Sequence, residues 1–245
     1  MKCDVIPAIP NRIEEGYGLN KKMVSTLNSS GTNLLITVDN GVNAFEAINL
    51  AEKLNIDIIL TDHHDLSKKT PNVLALLHPS TTPTKSPYRE LAGVGIAFIL
   101  ASEMAKKVHL NDSISDSLDL FCIGTIADMS ELKGSNRNLL LKGLKKIHKT
   151  KNIGLQALYK VCGISNSNIT SEIISFQIAP RINAVGRIGD PQIVLDLFLE
   201  RNQEKAIDLA RHCEKMNKIR RELSSGIEAE AIAILESDKG FLPSF

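Results

Sequence analysis

The sequence has no tryptophan, only four cysteines and no long apolar run. The cysteines are far apart and form no CxxC pair, so we expect neither a zinc site built from them nor a dense disulfide framework. No apolar stretch reaches the roughly 18 residues that a transmembrane helix needs. These absences predict a protein of the reducing cytoplasm that has no membrane partner.

Neither sign of charge is in excess, because the sequence has 29 Lys and Arg residues and 28 Asp and Glu residues. Net charge therefore supplies no long-range attraction to a polyanion, and nucleic-acid binding would need a local cluster of basic residues. What the sequence does have is apolar residues, 43% of 245, which can bury a substantial core. The composition predicts a soluble globular protein.

Three short apolar runs in the first third of the chain predict parallel strands, at residues 34–38, 56–60 and 73–77. Apolar residues at helical spacing between 42 and 54 predict a helix that connects the first two strands. The pattern indicates an α/β fold with a parallel sheet. Polar residues that follow such strands gather at one edge of the sheet, where ligands bind.

The remainder of the chain has mainly helical spacing. Residues 203–235 carry an apolar stripe throughout, which predicts one long helix interrupted only by Gly226, at a cost of about 1 kcal/mol. Residues 118–127 form another buried segment, and we interpret residues 179–187 as a connection that exposes arginines in a loop.

The candidate site begins where the second predicted strand ends, at Asp62, His63 and His64. On its own this tripeptide fits a helix start capped by Asp62 as well as it fits a metal site. Asp39 and Asp128 each follow an apolar segment, and a parallel sheet would gather these carboxylates with the histidines. Carboxylate and imidazole together favour manganese, cobalt or zinc over magnesium. Two such ions about 4 Å apart activate water for phosphoester hydrolysis.

Four motifs, in order along the chain, resemble the DHH phosphoesterase superfamily. They are Thr37-Val38-Asp39-Asn40-Gly41, Leu60-Thr61-Asp62-His63-His64, Gly124-Thr125-Ile126-Ala127-Asp128 and Pro180-Arg181-Ile182-Asn183-Ala184-Val185-Gly186-Arg187. The last motif, with residues 9–19 and 91–95, is similar to the branch of bacterial exonucleases that digest single-stranded DNA from the 5′ end. Asp-His-His alone also fits pyrophosphatases, polyphosphatases and cyclic-dinucleotide hydrolases.

The resemblance implies a site for two Mn2+ ions, with Mg2+ as an alternative. Asp39 would bridge the ions, and His63 and Asp128 would complete the ligands of one of them. His64 would face the scissile phosphate as a catalytic residue, and Asp62 would orient the histidines.

The resemblance also implies contacts to the phosphates of the substrate. Guanidinium groups suit phosphate oxygens, and the candidates are Arg12, Arg181 and Arg187. Asn183 would position their segment or touch DNA. His78 is interpreted as a turn residue before a proline, or as a support for the site.

The implied organisation is a DHH phosphoesterase core with helices on both faces of the sheet in residues 1–150. A helical extension would follow in 151–200, a linking helix in 201–236, and the start of a further domain in 237–245. The first family motif, Asp-x-Asp, and the carboxyl-terminal domain are not in the sequence. We therefore expect a fragment that holds one ion or none, exposes a face or edge of its sheet, and has little nuclease activity by itself.

Three functional hypotheses remain. The first is a manganese-dependent exonuclease of DNA repair and recombination that acts on single-stranded DNA, with a helicase or single-strand-binding protein as partner. The second is an inactive remnant, or a subunit that binds nucleic acid or a partner without hydrolysis. The third is a hydrolase of short oligonucleotides or cyclic dinucleotides.

Overall fold

The computed structural model describes residues 4–110, 114–165 and 169–237. Cys3 and most of the predicted start of a further domain, from residue 238 onwards, lie outside these ranges. Three strands form one parallel sheet in the order β1-β2-β3. Their bounds are Leu34–Val38 for β1, Asp57–Thr61 for β2 and Ala75–Leu77 for β3. The predicted parallel sheet is confirmed, with a third strand two residues shorter than expected, since its pairing with β2 begins only at Ala75.

Helices connect and follow the strands. Before α4 the helices are α1 (Arg12–Glu15), α2 (Lys21–Ser29) and α3 (Phe45–Lys53). From there on they are α4 (Gly93–Lys107), α5 (Leu118–Ala127), α6 (Gly134–Leu144), α7 (Ile153–Cys162), α8 (Ser171–Ile173), α9 (Ala179–Ile188), α10 (Gln192–Leu199) and α11 (Gln203–Ser237). Short 3-10 turns lie at Pro79–Thr81 and Ile147–Lys149, and a π-helical turn, Ile174–Ile178, joins α8 to α9.

The apolar side chains form two cores, one on each face of the sheet. On the first face, Leu35, Ile58 and Leu60 pack against α2 and α3, and we call this the sheet core. On the other face, Leu77 packs against a larger cluster built from α4 and the helices that follow it, the helical core. Helices therefore cover both faces of the sheet, as predicted for the α/β fold.

The covering of the second face is incomplete at β1. Leu34, Ile36 and Val38 alternate with buried residues along the strand and are 41–48% exposed. β1 is also one of the two edge strands of the sheet that the described residues form. The sheet thus exposes an apolar face, as expected from the sequence.

The structure specifies one segment and corrects another. Residues 118–127, predicted only as a buried segment, form α5, a helix with Phe121, Cys122 and Ile123 buried. The expected arginine loop is also helical: it forms α9, which continues from the π-helical turn and accommodates Pro180 in its first turn. Proline has no N–H to donate within a helix, and Pro180 directly follows the π-helical turn, where the regular hydrogen-bond pattern is already interrupted.

The long helix α11 is confirmed and extends two residues beyond the predicted end. Its first half is anchored in the helical core through Ala206, Ala210 and Cys213, whereas residues 221–236 are exposed. The helix continues through Gly226, where a methyl group would meet nothing within 4 Å. Across the described ranges, no helix combines the length and apolar character needed to cross a bilayer.

Candidate metal centre

The ends of β1 and β2 are fixed side by side, which places Asp39 next to the Asp62-His63-His64 segment. The backbone N–H of Asp39 donates to the carbonyl oxygen of Thr61 at 3.0 Å. The hydroxyl of Thr61 donates to the carbonyl oxygen of Thr37 at 2.7 Å, and both threonines are buried. Parallel pairing extended by these contacts brings together residues that are more than twenty positions apart.

Asp39 adopts a left-handed backbone conformation, with φ of 65°. This region is sparsely populated by residues other than glycine, although aspartate tolerates it better than most. The turn after it is held by Asn40, whose side-chain amide donates to the carbonyl of Val38 and whose Oδ1 accepts from the N–H of Leu19. Tyr17 donates its hydroxyl to the carbonyl oxygen of Asp39 at 2.9 Å.

His63 lies near each of the other two predicted metal ligands, Asp39 and Asp128. Nε2 of His63 lies 3.0 Å from Oδ1 of Asp39 and 3.9 Å from Oδ1 of Asp128. Asp128 reaches the site from the carboxyl-terminal cap of α5, and the hydroxyl of Ser130 donates to its other oxygen, Oδ2, at 2.5 Å. Asp39, His63 and His64 also present donor atoms within 4.8 Å of one another.

The donor atoms fit a divalent cation such as Mn2+. Oδ1 of Asp39 is buried and accepts no hydrogen bond from the described residues, so the nearby Nε2 of His63 does not satisfy it. Two ligand atoms about 3 Å apart match adjacent positions around an octahedral ion with bonds of about 2.1 Å. Two carboxylates and an imidazole are a donor set that transition metals accept.

Asp62 is the buried support of the site, with only 1% of its surface exposed. Its Oδ2 accepts from the N–H of Val42 at 3.1 Å, and its Oδ1 accepts from the N–H groups of His63 and His64 at 2.8 and 3.2 Å. Nδ1 of His64 lies 2.6 Å from the same Oδ1. Burial alone would raise the pKa of Asp62, but the bond from the His64 ring and the three backbone N–H groups outweigh burial and lower it.

The hydrogen bond to Asp62 fixes the ring of His64 and raises its pKa above the ordinary value. Because a carboxylate oxygen only accepts, Nδ1 is the donor in this contact, and in the neutral ring Nε2 is the nitrogen left for a ligand or substrate. The backbone of His64 is held by His78, whose Nε2 donates to the His64 carbonyl oxygen at 2.7 Å while its Nδ1 accepts from the N–H of Ser80. His78 is thus a buried support, as one of its two interpretations held.

Burial chiefly raises the pKa of Asp39, and the opposing charges of His63 and His64 offset part of that rise. Burial disfavours the charged form of this carboxylate, and a cation next to it would strongly stabilise that charged form. The electrostatics of the site therefore favour a bound cation between Asp39 and its neighbours.

The predicted phosphate-binding residues have different surroundings. Arg12 lies over the ring of Tyr17 at 4.7 Å from its centre, and α1 packs against α9, which carries the arginine motif. Arg181 is mostly buried and is paired with Glu214 of α11. Asn183 and Arg187 are exposed on α9. The structure thus leaves Arg12 and Arg187 closer to the predicted role than Arg181, whose charge is already neutralised.

Three residues of the site were not identified as site residues from the sequence. Tyr17 and Gly93 both contact Asp39, and Ser130 contacts Asp128. Tyr17 and Gly93 lie in segments that carried the family resemblance, and this was the only signal that could have pointed to them. Their roles depend on contacts between distant positions, which no local pattern encodes.

Fold and site together define a parallel α/β protein with a candidate carboxylate–imidazole metal site at the carboxyl edge of its sheet. Residues 1–125 match the N-terminal domain of the DHH family. The chain is 37% identical over 228 residues to the single-stranded-DNA-specific exonuclease RecJ of Bacillus subtilis (strain 168), covering 93% of this chain and 28% of that relative. The chain belongs to the DHH family and is RecJ-like.

Solved structures show the same relationship. A crystal structure of an exonuclease RecJ bound to manganese superimposes with a TM-score of 0.84 and 32% identity, over 93% of this chain and 57% of that one. RecJ from Thermus thermophilus in complex with Mn2+ gives a TM-score of 0.77 at 29% identity, over 86% of this chain and 31% of that one. The chain thus spans between about a quarter and three fifths of the proteins it matches here.

Proposed function

We propose that this chain carries the metal site of an exonuclease that digests single-stranded DNA from the 5′ end. The observation that carries the proposal is that Asp39 and Asp128 both lie near His63, next to a histidine, His64, that a buried carboxylate holds in place. The names of its relatives supply the substrate class. A helicase or a single-strand-binding protein is the kind of partner that such a substrate calls for, and the cytoplasm is the compartment we propose.

Each residue has a defined task in this proposal. Asp39, His63 and Asp128 would hold one Mn2+ ion, which when bound supplies Lewis acidity and an activated water. Asp62 keeps the proton on Nδ1 of His64, so that Nε2 faces outward to the substrate. Arg12 and Arg187 would neutralise phosphate charge near the site.

Metal binding is tested first, by titrating the 245-residue chain with Mn2+ in a calorimeter and following free Mn2+ by electron paramagnetic resonance. We expect one bound ion and a loss of affinity in Asp128→Ala and His63→Gln. Asp65→Asn is the matched control, because Asp65 is exposed and follows the same strand. Equal affinity in all four proteins would refute the assigned ligands.

Hydrolysis is tested separately with oligonucleotides labelled at either end. Because the described site offers donors for one ion, we expect slow, Mn2+-dependent loss of the 5′ label from single strands, little from duplexes, and none in Asp128→Ala. Mn2+ binding without hydrolysis would support a non-catalytic subunit instead. Faster turnover of cyclic dinucleotides or short oligonucleotides than of long single strands would favour the third hypothesis.

A further inference from the structure

The first residue of α4, Gly93, packs against the side chain of Asp39. A methyl group built on Gly93 would lie 2.2 Å from Oδ1 of Asp39 and 2.5 Å from its Cβ and Cγ. Non-bonded atoms do not approach one another this closely, so either Asp39 or the start of α4 would have to move. Gly93 therefore packs directly against the carboxylate that we assign to the metal.

Asp39 has little freedom to move away. Its backbone N–H is bonded to β2, its carbonyl oxygen accepts the Tyr17 hydroxyl, and its φ of 65° lies in a narrow region. A group at position 93 would thus displace the side chain of Asp39 relative to His63, whose Nε2 now lies 3.0 Å away. The separation of these two donors depends on the space that Gly93 leaves.

The glycine is required here for space and not for backbone conformation. Gly16, Gly18 and Gly41 have positive φ values, whereas Gly93 does not and begins a regular helix. Helix propensity alone would favour alanine at this position. The close approach to Asp39 is what opposes alanine.

We propose that Gly93 is a positioning residue for Asp39. Because it lacks a side chain, it lets the start of α4 pack against the carboxylate, and this contact sets the distance between Oδ1 of Asp39 and Nε2 of His63. The proposal rests on the proposed function, since it takes Asp39 to be a metal ligand. Tyr17 holds the Asp39 carbonyl oxygen, so the ligand is fixed at both its backbone and its carboxylate.

The first test is the Mn2+ affinity of Gly93→Ala, measured by calorimetry on the whole chain. Changes to residues that orient metal ligands weaken binding by about 10- to 100-fold, and we expect a loss in that range. Gly226→Ala is the matched control, because it is the same substitution in a helix at a position with open space, and we expect no change.

The second test needs no metal and compares Gly93→Ala in two backgrounds by thermal unfolding. Asp39→Gly removes the atoms that the new methyl group would strike and suits the positive φ. We expect Gly93→Ala to lower the midpoint of unfolding in the native background and not in the Asp39→Gly background. Such non-additivity is the signature of two residues in contact.

The outcomes separate the two proposals. Absence of Mn2+ binding by the unmodified chain would refute the proposed function and this inference with it. Normal binding by Gly93→Ala, or equal destabilisation in both backgrounds, would overturn the inference alone. If Gly93→Ala fails to fold, recovery of folding in Gly93→Ala with Asp39→Gly supports the contact, and failure to recover overturns it.

Discussion

Replacing Asp62 with asparagine tests how much the buried carboxylate contributes to stability. The carboxylate accepts four hydrogen bonds, from Val42, His63 and two groups of His64. Asparagine has the same shape but offers one oxygen and an amide NH2 group. If its oxygen keeps the three donors from the histidines, its NH2 faces the N–H of Val42, and a buried donor is left without an acceptor.

The expected cost follows from these contacts. A buried polar group without a partner costs about 1–3 kcal/mol, and loss of charge from the bond to His64 adds on the order of 1 kcal/mol. We therefore expect Asp62→Asn to lower the free energy of unfolding by about 3 kcal/mol. For a domain of this size that is a fall of about 6–12 °C in the unfolding midpoint.

Circular dichroism at neutral pH without added metal is the assay, with Asp65→Asn as control because Asp65 is exposed on the same segment. Surface changes of this kind stay within about 0.5 kcal/mol. Nuclear magnetic resonance should also show a lower pKa for His64, since the bond from Asp62 is the main cause of its elevation. A midpoint for Asp62→Asn that lies within about 2 °C of the control would refute this reasoning.

Three further outcomes are expected. Asp62 has a lowered pKa, so it stabilises the fold above about pH 4 and loses this contribution as pH falls through its pKa in the folded state. His64 has a raised pKa, so it stabilises the fold fully below about pH 6.5 and loses this contribution as pH rises through its pKa in the folded state. The stability difference between the unmodified chain and Asp62→Asn should therefore be largest between these values in a pH series of unfolding curves. Gly154→Ala should destabilise α7 strongly in denaturant titrations, because its methyl group would lie 2.0 Å from the backbone oxygen of Leu197, which cannot rotate away. Tyr159→Phe should raise stability by about 1 kcal/mol in the same titrations, because the buried Tyr159 hydroxyl has no hydrogen-bond partner among the described residues; a fall would show that it does.

The sheet and the ends of its strands could be predicted because both depend on local pattern. An apolar run of five residues followed by polar residues identifies a buried strand and the edge where its ligands lie. Asp39 and Asp62-His63-His64 were therefore placed correctly relative to each other. The proximity of Asp128 was also expected, from its place after a buried apolar segment, although the sequence did not show that this segment is a helix. Periodicity does not distinguish a fully buried helix from a buried strand.

Contacts between distant positions could not be predicted in this way. The pairing of Arg181 with Glu214 joins residues 33 positions apart, and it removes from the surface a charge that the motif alone suggested was available to phosphate. The packing of Gly93 against Asp39 is of the same kind. The boundary predicted at residue 150 stays a prediction, and the helical core continues across it, from Leu91 to Cys213.

The division of the protein into a sheet core and a helical core has a consequence for cooperativity. Asp39 and His63 follow strands of the sheet core, whereas Asp128 ends a helix of the helical core. A cation bound by all three residues would link the sheet core to the helical core. Local unfolding of either core would then be coupled to that of the other. Amide hydrogen exchange should then slow in both cores together when Mn2+ is added. Occupancy of the site would thus be coupled to the stability of both cores.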